Sequence, residues 1–156
     1  AAANDNAPGQ IVISGDTAAV DRALVIAAER GFKRAIKLPV SAPFHCALMQ
    51  PAADRMAEVL TQTKITFPAV PVIANVTAAP VTDPETIREL LVRQVTGSVR
   101  WRECVAYMAG QGVTQFVECG SGKVLAGLIK RIAPDATVIS LDDPAAPDRL
   151  AVPFKE

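Results

Sequence analysis

Short β-branched apolar runs alternate with amphipathic stretches of helical period along most of this chain, and that alternation narrows its possible folds most. QIVIS (10–14), PVIANVT (71–77), TQFVECG (114–120) and ATVISL (136–141) read as strands. TAAVDRALVIAAERG (17–31) sets Val20, Leu24 and Ala27/Ala28 on one helical face and ends at Gly31, a good C-terminal stop. LMQPAADRMAEVLTQT (48–63) repeats the pattern with Leu48, Ala52, Met56 and Val59/Leu60. DPETIRELLVRQV (83–95) carries its own start signals: Asp83 to cap, Pro84 in the first turn, Glu85 to suit the dipole. WRECVAYMAGQG (101–112) and GKVLAGLIKRI (122–132) complete the helices. FKRAIKLP (32–39) mixes apolar and basic residues as a half-exposed strand does, and residues 142–156 read as a tail. PVIANVT is expected to be buried. The pattern predicts an α/β fold. Its strand–helix–strand opening forms half of a small subdomain whose sheet needs further strands.

Composition supports a packed core without pointing to a charged partner. At 156 residues, half of them apolar, the chain can bury roughly 68–70% of its unfolded surface. Few aromatics are present, so Ala, Val, Leu and Ile must fill the interior. Sixteen basic residues balance sixteen acidic ones without long runs of either sign, which argues against nucleic acid or an anionic membrane as partner. No apolar run approaches ~18 residues, and the opening AAANDNAPGQ does not have the form of a signal peptide. Cys46, Cys104 and Cys119 are odd in number and widely spaced, which disfavours a disulfide framework or a structural metal site. They are expected to be small buried hydrophobes in a reducing, cytoplasmic setting.

Three stretches merit weighing for chemistry. His45 is the single histidine, in the Pro-bounded loop SAPFHCALM between a strand and a helix. Rigid elements aim loop residues well, so it reads either as a general base or as a surface imidazole without a role. GSGK (120–123) opens a helix after a strand. A P-loop would need Gly where Val117 stands and Ser or Thr where Val124 stands, so a structural turn is the better reading. NDNAPGQ (4–10) reads as a turn by composition, although Asn4 and Asn6 could line a polar pocket. A histidine base needs a nucleophile within reach, and the serine elbow GxSxG occurs nowhere in these residues. Ser41 lies on the histidine's own loop. Ser121 sits in CGSGK, where Cys119 replaces the motif's first glycine.

VSAPFHCALMQPAAD (40–54), NDNAPGQIVISG (4–15), LVRQVTGSVRW (91–101) and FVECGSGKVLAGLIKR (116–131) together resemble the C-terminal half of the malonyl-CoA:acyl carrier protein transacylase family, over roughly residues 4–141. The same module serves as the acyltransferase domain of fatty acid and polyketide synthases. The resemblance implies an α/β-hydrolase-like acyltransferase subdomain with an inserted ferredoxin-like subdomain. Residues 1–39 would be the latter half of the insert, and 40–141 the C-terminal part of the large subdomain. His45 matches the family's general base, and Gln94 the position whose main-chain carbonyl orients it. Asn6 matches an amide near the acyl pocket. Ser121 stands where a proline is common in the family, a turn variation. The family's serine in its GHSxGE elbow, its malonate-binding arginine and an oxyanion-hole glutamine match nothing in this chain. The implied substrates are malonyl-CoA and acyl carrier protein, in fatty acid or polyketide synthesis, with neither metal nor cofactor beyond the coenzyme A thioester. A thioester hydrolase using the same histidine, or a non-catalytic module that docks carrier protein, are the alternatives.

Overall fold

A computed structural model describes residues 1–141; the expected tail at 142–156 lies outside the described residues. The architecture is α/β, with five helices and three small two-stranded sheets among the described residues. They divide into two compact units, Ala1–Cys104 and the segment from Val105 onward.

The first unit opens with a hairpin of β1 (Ala2–Ala7) and β2 (Gln10–Ile13), antiparallel across Pro8-Gly9. Proline presets the first turn position, and Gly9 takes φ +71°, which L side chains rarely adopt. The expected turn at NDNAPGQ therefore shrinks to its Pro-Gly centre, and Asn4 and Asn6 lie on a strand. Asn and Asp are poor strand formers, but β1 is held from both edges. Besides β2, it forms a bridge to Val99, with Val99 N–H donating to Ala3 O at 2.8 Å and Asp5 N–H donating to Val99 O at 2.8 Å.

Helix α1 (Thr17–Glu29) starts where the Asp16 carboxylate accepts from the Ala18 and Ala19 N–H groups. Val20, Leu24 and Ala27 are its half-buried face as predicted, but Ala28, Val25 and Ile26 are exposed. The expected strand at 32–39 does not form. Phe32 and Ile36 are 67% and 61% exposed, and no strand among the described residues pairs with the segment. A period-two pattern makes a strand only where a neighbour completes the ladder.

After the loop that carries His45 come a 3-10 turn (Ala47–Met49) and α2 (Gln50–Thr61). β3 (Val72–Ala74) pairs antiparallel with β4 (Ala79–Val81), a strand too short and proline-bearing to read from sequence. The expected burial of PVIANVT is not met: Pro71 and Val72 are exposed and the remainder half-buried. α3 (Pro84–Thr96) starts as predicted, with the Asp83 carboxylate accepting from Thr86 N–H at 2.7 Å. It packs against α2, each contributing one buried leucine, Leu90 and Leu60. α4 (Trp101–Gly110) follows.

The second unit holds β5 (Gln115–Cys119), α5 (Val124–Ile132) and β6 (Thr137–Leu141). β5 and β6 are parallel, in register from Gln115↔Thr137 to Cys119↔Leu141, so the alternating pattern yields a βαβ unit. Phe116, Leu128, Ile129 and Ala133 form buried apolar matter there.

Candidate active site

The histidine loop is held by short local bonds. Phe44 N–H donates to Ala42 O at 3.0 Å, and the buried Cys46 thiol donates to Pro43 O at 3.1 Å. Between them His45 adopts φ +58°, in the left-handed region. That conformation costs a non-glycine residue about 1–2 kcal/mol, so the surroundings must hold it there. The 3-10 turn that follows packs on α3, bringing the loop to that helix's C-terminal end.

There the half-buried imidazole meets a carbonyl. His45 Nδ1 lies 3.1 Å from the main-chain oxygen of Gln94. A carbonyl can only accept, so Nδ1 carries the hydrogen and, in the neutral ring, Nε2 keeps its lone pair. The acceptor exists because α3 ends here. The last carbonyls of a helix lack N–H partners from the next turn, and they form its negative pole, which suits a cation when the ring is protonated.

The segment beyond α3 is anchored on several sides. Gln94 Nε2 donates to Gly97 O at 3.0 Å and to Ser98 O at 3.4 Å, while Ser98 Oγ donates to Ala3 O at 3.3 Å. Arg102 donates to both carboxylate oxygens of Asp5 on β1, from Nη2 at 2.6 Å and from Nε at 2.9 Å. That hydrogen bond raises the Arg102 pKa. Arg100 donates to Thr77 O and to Glu103, whose carboxyl it holds below the usual carboxylate range. Burial pushes the Cys104 thiol up, and its Sγ donates to Asn75 Oδ1 at 3.5 Å.

Of the residues singled out from sequence, His45 and Gln94 are brought into hydrogen-bond contact. Asn6 is half-buried on β1 and bonds to neither; its strand reaches the end of α3 through Val99. Ser41 is exposed at the start of the histidine loop, and Ser121 is exposed in the second unit. GSGK is a turn, with Gly122 at φ +88°. The first-turn N–H groups of Leu125 and Ala126 on α5 both donate to the buried Glu118 carboxylate at 2.9 Å, so this carboxylate already occupies the helix N-terminus that an outside anion would need. Sequence reasoning missed Glu118. A carboxylate placed just before a glycine-rich turn that opens a helix was the available signal. It also missed the Gln94 amide and the Asp5–Arg102 pair. Cys119 is exposed, contrary to the expectation for the cysteines, because β5 turns it away from Phe116 and Glu118. Among the described residues, no group of three or more His, Cys, Asp or Glu is arranged to hold a metal ion, and no helix is long and apolar enough to cross a membrane.

No protein-family model matches this chain. A curated protein from Escherichia coli strain K12, the malonyl CoA-acyl carrier protein transacylase, is 48% identical over 143 residues, 92% of this chain and 46% of that protein. Its relatives are malonyl CoA-acyl carrier protein transacylases. The chain spans about half the length of the curated relatives it matches. Among solved structures, the acyl-carrier-protein-S-malonyltransferase from Bartonella henselae superposes with a TM-score of 0.91 at 50% identity, covering 96% of this chain and 48% of that one. A type II PKS acyl-carrier protein in complex with its malonyl-transacylase matches with a TM-score of 0.88 at 44% identity, covering 94% and 47%. The resemblance read from the four sequence segments therefore extends to a similarity over 92% of this chain in sequence and 96% in backbone.

Proposed function

We propose that this chain supplies the histidine base of an acyltransferase that moves malonyl from coenzyme A to the phosphopantetheine thiol of acyl carrier protein. The observation that carries the reading is the Nδ1 bond from His45 to the Gln94 carbonyl, which leaves Nε2 free to take a proton. The kinship with transacylases gives that base its reaction. In this reading a serine from a nucleophile-bearing half, outside these residues, loses its proton to His45 Nε2 and attacks the malonyl thioester carbonyl. The C–S bond breaks, and the imidazolium returns the proton to the departing coenzyme A thiolate. In the second half-reaction His45 takes the proton of the carrier-protein thiol. The sulfur attacks the serine ester, and serine leaves with the proton restored. No cofactor or metal enters either step.

The finer architecture belongs to the same proposal. Residues 1–39 are read as the latter half of a ferredoxin-like subdomain, bearing Asn6 toward the acyl pocket. Residues 40–141 are read as the C-terminal part of an α/β-hydrolase-like subdomain. A cytoplasmic setting suits the acyl-CoA substrate and three free thiols.

The test is covalent labelling. This chain alone, incubated with malonyl-CoA, should remain unmodified by mass spectrometry. Joined to the nucleophile-bearing half, by fusion or in trans, the assembly should acquire one malonyl group on a serine of that half and pass it to carrier protein. Label lost only to water would favour a thioester hydrolase. An assembly that binds carrier protein but never labels would leave a docking module. An adduct on Ser41 or Ser121 of the isolated chain would overturn the assignment of the nucleophile.

A further inference from the structure

We infer that the side-chain amide of Gln94 is a positioning group for His45, fixing the carbonyl that the same residue offers to the imidazole. The inference rests on the acyltransferase reading above and adds a role for a side chain that does not touch the ring. Gly97 N–H closes the last helical bond of α3 onto Arg93 O at 2.9 Å, one residue short of Gln94. Gly97 itself is extended, φ −88° and ψ 153°, so the chain departs from the helix axis there. The Gln94 carbonyl is left at a helix end, where backbones fray most readily.

The amide ties that end down. One nitrogen donates to two successive carbonyls, Gly97 O and Ser98 O, so the departing chain is fastened back to the residue whose oxygen holds the imidazole. From the opposite side, Ala3 O accepts from both Val99 N–H and Ser98 Oγ, and Asp5 N–H donates to Val99 O. Residues 97–99 are thus clamped between β1 and the Gln94 side chain. Without the amide the β1 side remains tied but the helix side keeps only the Gly97 N–H bond to Arg93 O, and the Gln94 carbonyl can shift relative to His45. A displacement of about 1 Å in a catalytic group can cost up to ~10²-fold in rate.

The experiment uses the assembled enzyme, this chain joined to its nucleophile-bearing half. Gln94→Met keeps the length and bulk of the side chain while removing both donors. Gln94→Glu offers an acceptor where a donor is needed, and serves as a second variant should the first fold poorly. Both should lower kcat about tenfold while KM for malonyl-CoA stays within about twofold, the pattern of a loss felt only in the transition state. The Nδ1–H proton resonance of His45, assigned by its disappearance in His45→Ala, should broaden or vanish. A lowered melting temperature with kcat and that resonance unchanged would overturn the positioning role and leave the amide a mere helix stop. His45→Ala separates the two levels: its inactivity keeps the acyltransferase reading even if Gln94→Met is silent, and its full activity removes both.

Discussion

His45 and Gln94 stand 49 positions apart in sequence, yet Nδ1 of one lies 3.1 Å from the main-chain oxygen of the other. The contact joins a loop residue in left-handed backbone to the open end of a helix, two places where local structure leaves a group unspent. Neither feature alone marks a site. Together they settle the tautomer of the single imidazole in the chain and leave Nε2 as its free acceptor.

Replacing His45 with Ala in the assembled enzyme should lower acyl transfer by ~10²–10⁴-fold. Melting temperature should change little, since a half-buried loop imidazole contributes little packing. Steady-state transfer to carrier protein, beside a thermal melt of the same preparation, checks both. Transfer near the wild-type rate would remove His45 from the chemistry.

Asn6→Ala tests the expectation that this half-buried amide on β1 faces the acyl group. Losing a hydrogen bond to a charged substrate should raise KM for malonyl-CoA about tenfold while kcat holds. An unchanged KM would reduce Asn6 to a strand residue.

Glu118 bears on stability rather than catalysis. Its carboxylate receives Leu125 and Ala126 N–H, and Ser140 Oγ donates to it at 3.4 Å. Glu118→Ala leaves these part-buried donors without their acceptor and should destabilise the second unit by ~1–2 kcal/mol; Glu118→Gln, which keeps one acceptor oxygen, should cost less. Urea unfolding followed by circular dichroism measures the difference. Equal midpoints for Glu118→Ala and wild type would contradict the account of α5.

Acid should loosen the protein through two carboxyls. The hydrogen bond from Arg100 holds Glu103 below its ordinary 4.5, and the Thr86 N–H holds Asp83 below its ordinary 3.8. In that range the unfolded chain binds more protons than the folded one. Their contributions are therefore complete above those ordinary values and are lost as pH falls through the lowered folded ones. Glu103→Gln and Asp83→Asn should each flatten the acid limb of stability against pH and be least different from wild type at the acid extreme. A limb of unchanged slope in both would show that other groups dominate it.

What the sequence determined by itself was whatever short-range pattern encodes. The helical period of residues 83–95, with Asp83 and Pro84 ahead of it, sufficed for α3 and its cap. The alternation over 114–141 sufficed for β5, α5 and β6 as elements, because each is built from consecutive residues; their parallel register came from the structure. The lone histidine in its Pro-bounded loop was likewise visible at once. What required the tertiary structure was every feature whose partner lies far along the chain. NDN became strand only by pairing with β2 and Val99, against the propensity of its residues, and FKRAIKLP stayed unpaired despite a fair pattern. Gln94 shows the limit most clearly. Its contribution is a backbone carbonyl, which every residue possesses, so no side-chain chemistry could mark it, and resemblance alone pointed to the position. The end of α3 and the packing of the histidine loop against it decided which carbonyl the imidazole would meet, because a hydrogen bond depends on where two groups lie in space and not on their separation in sequence.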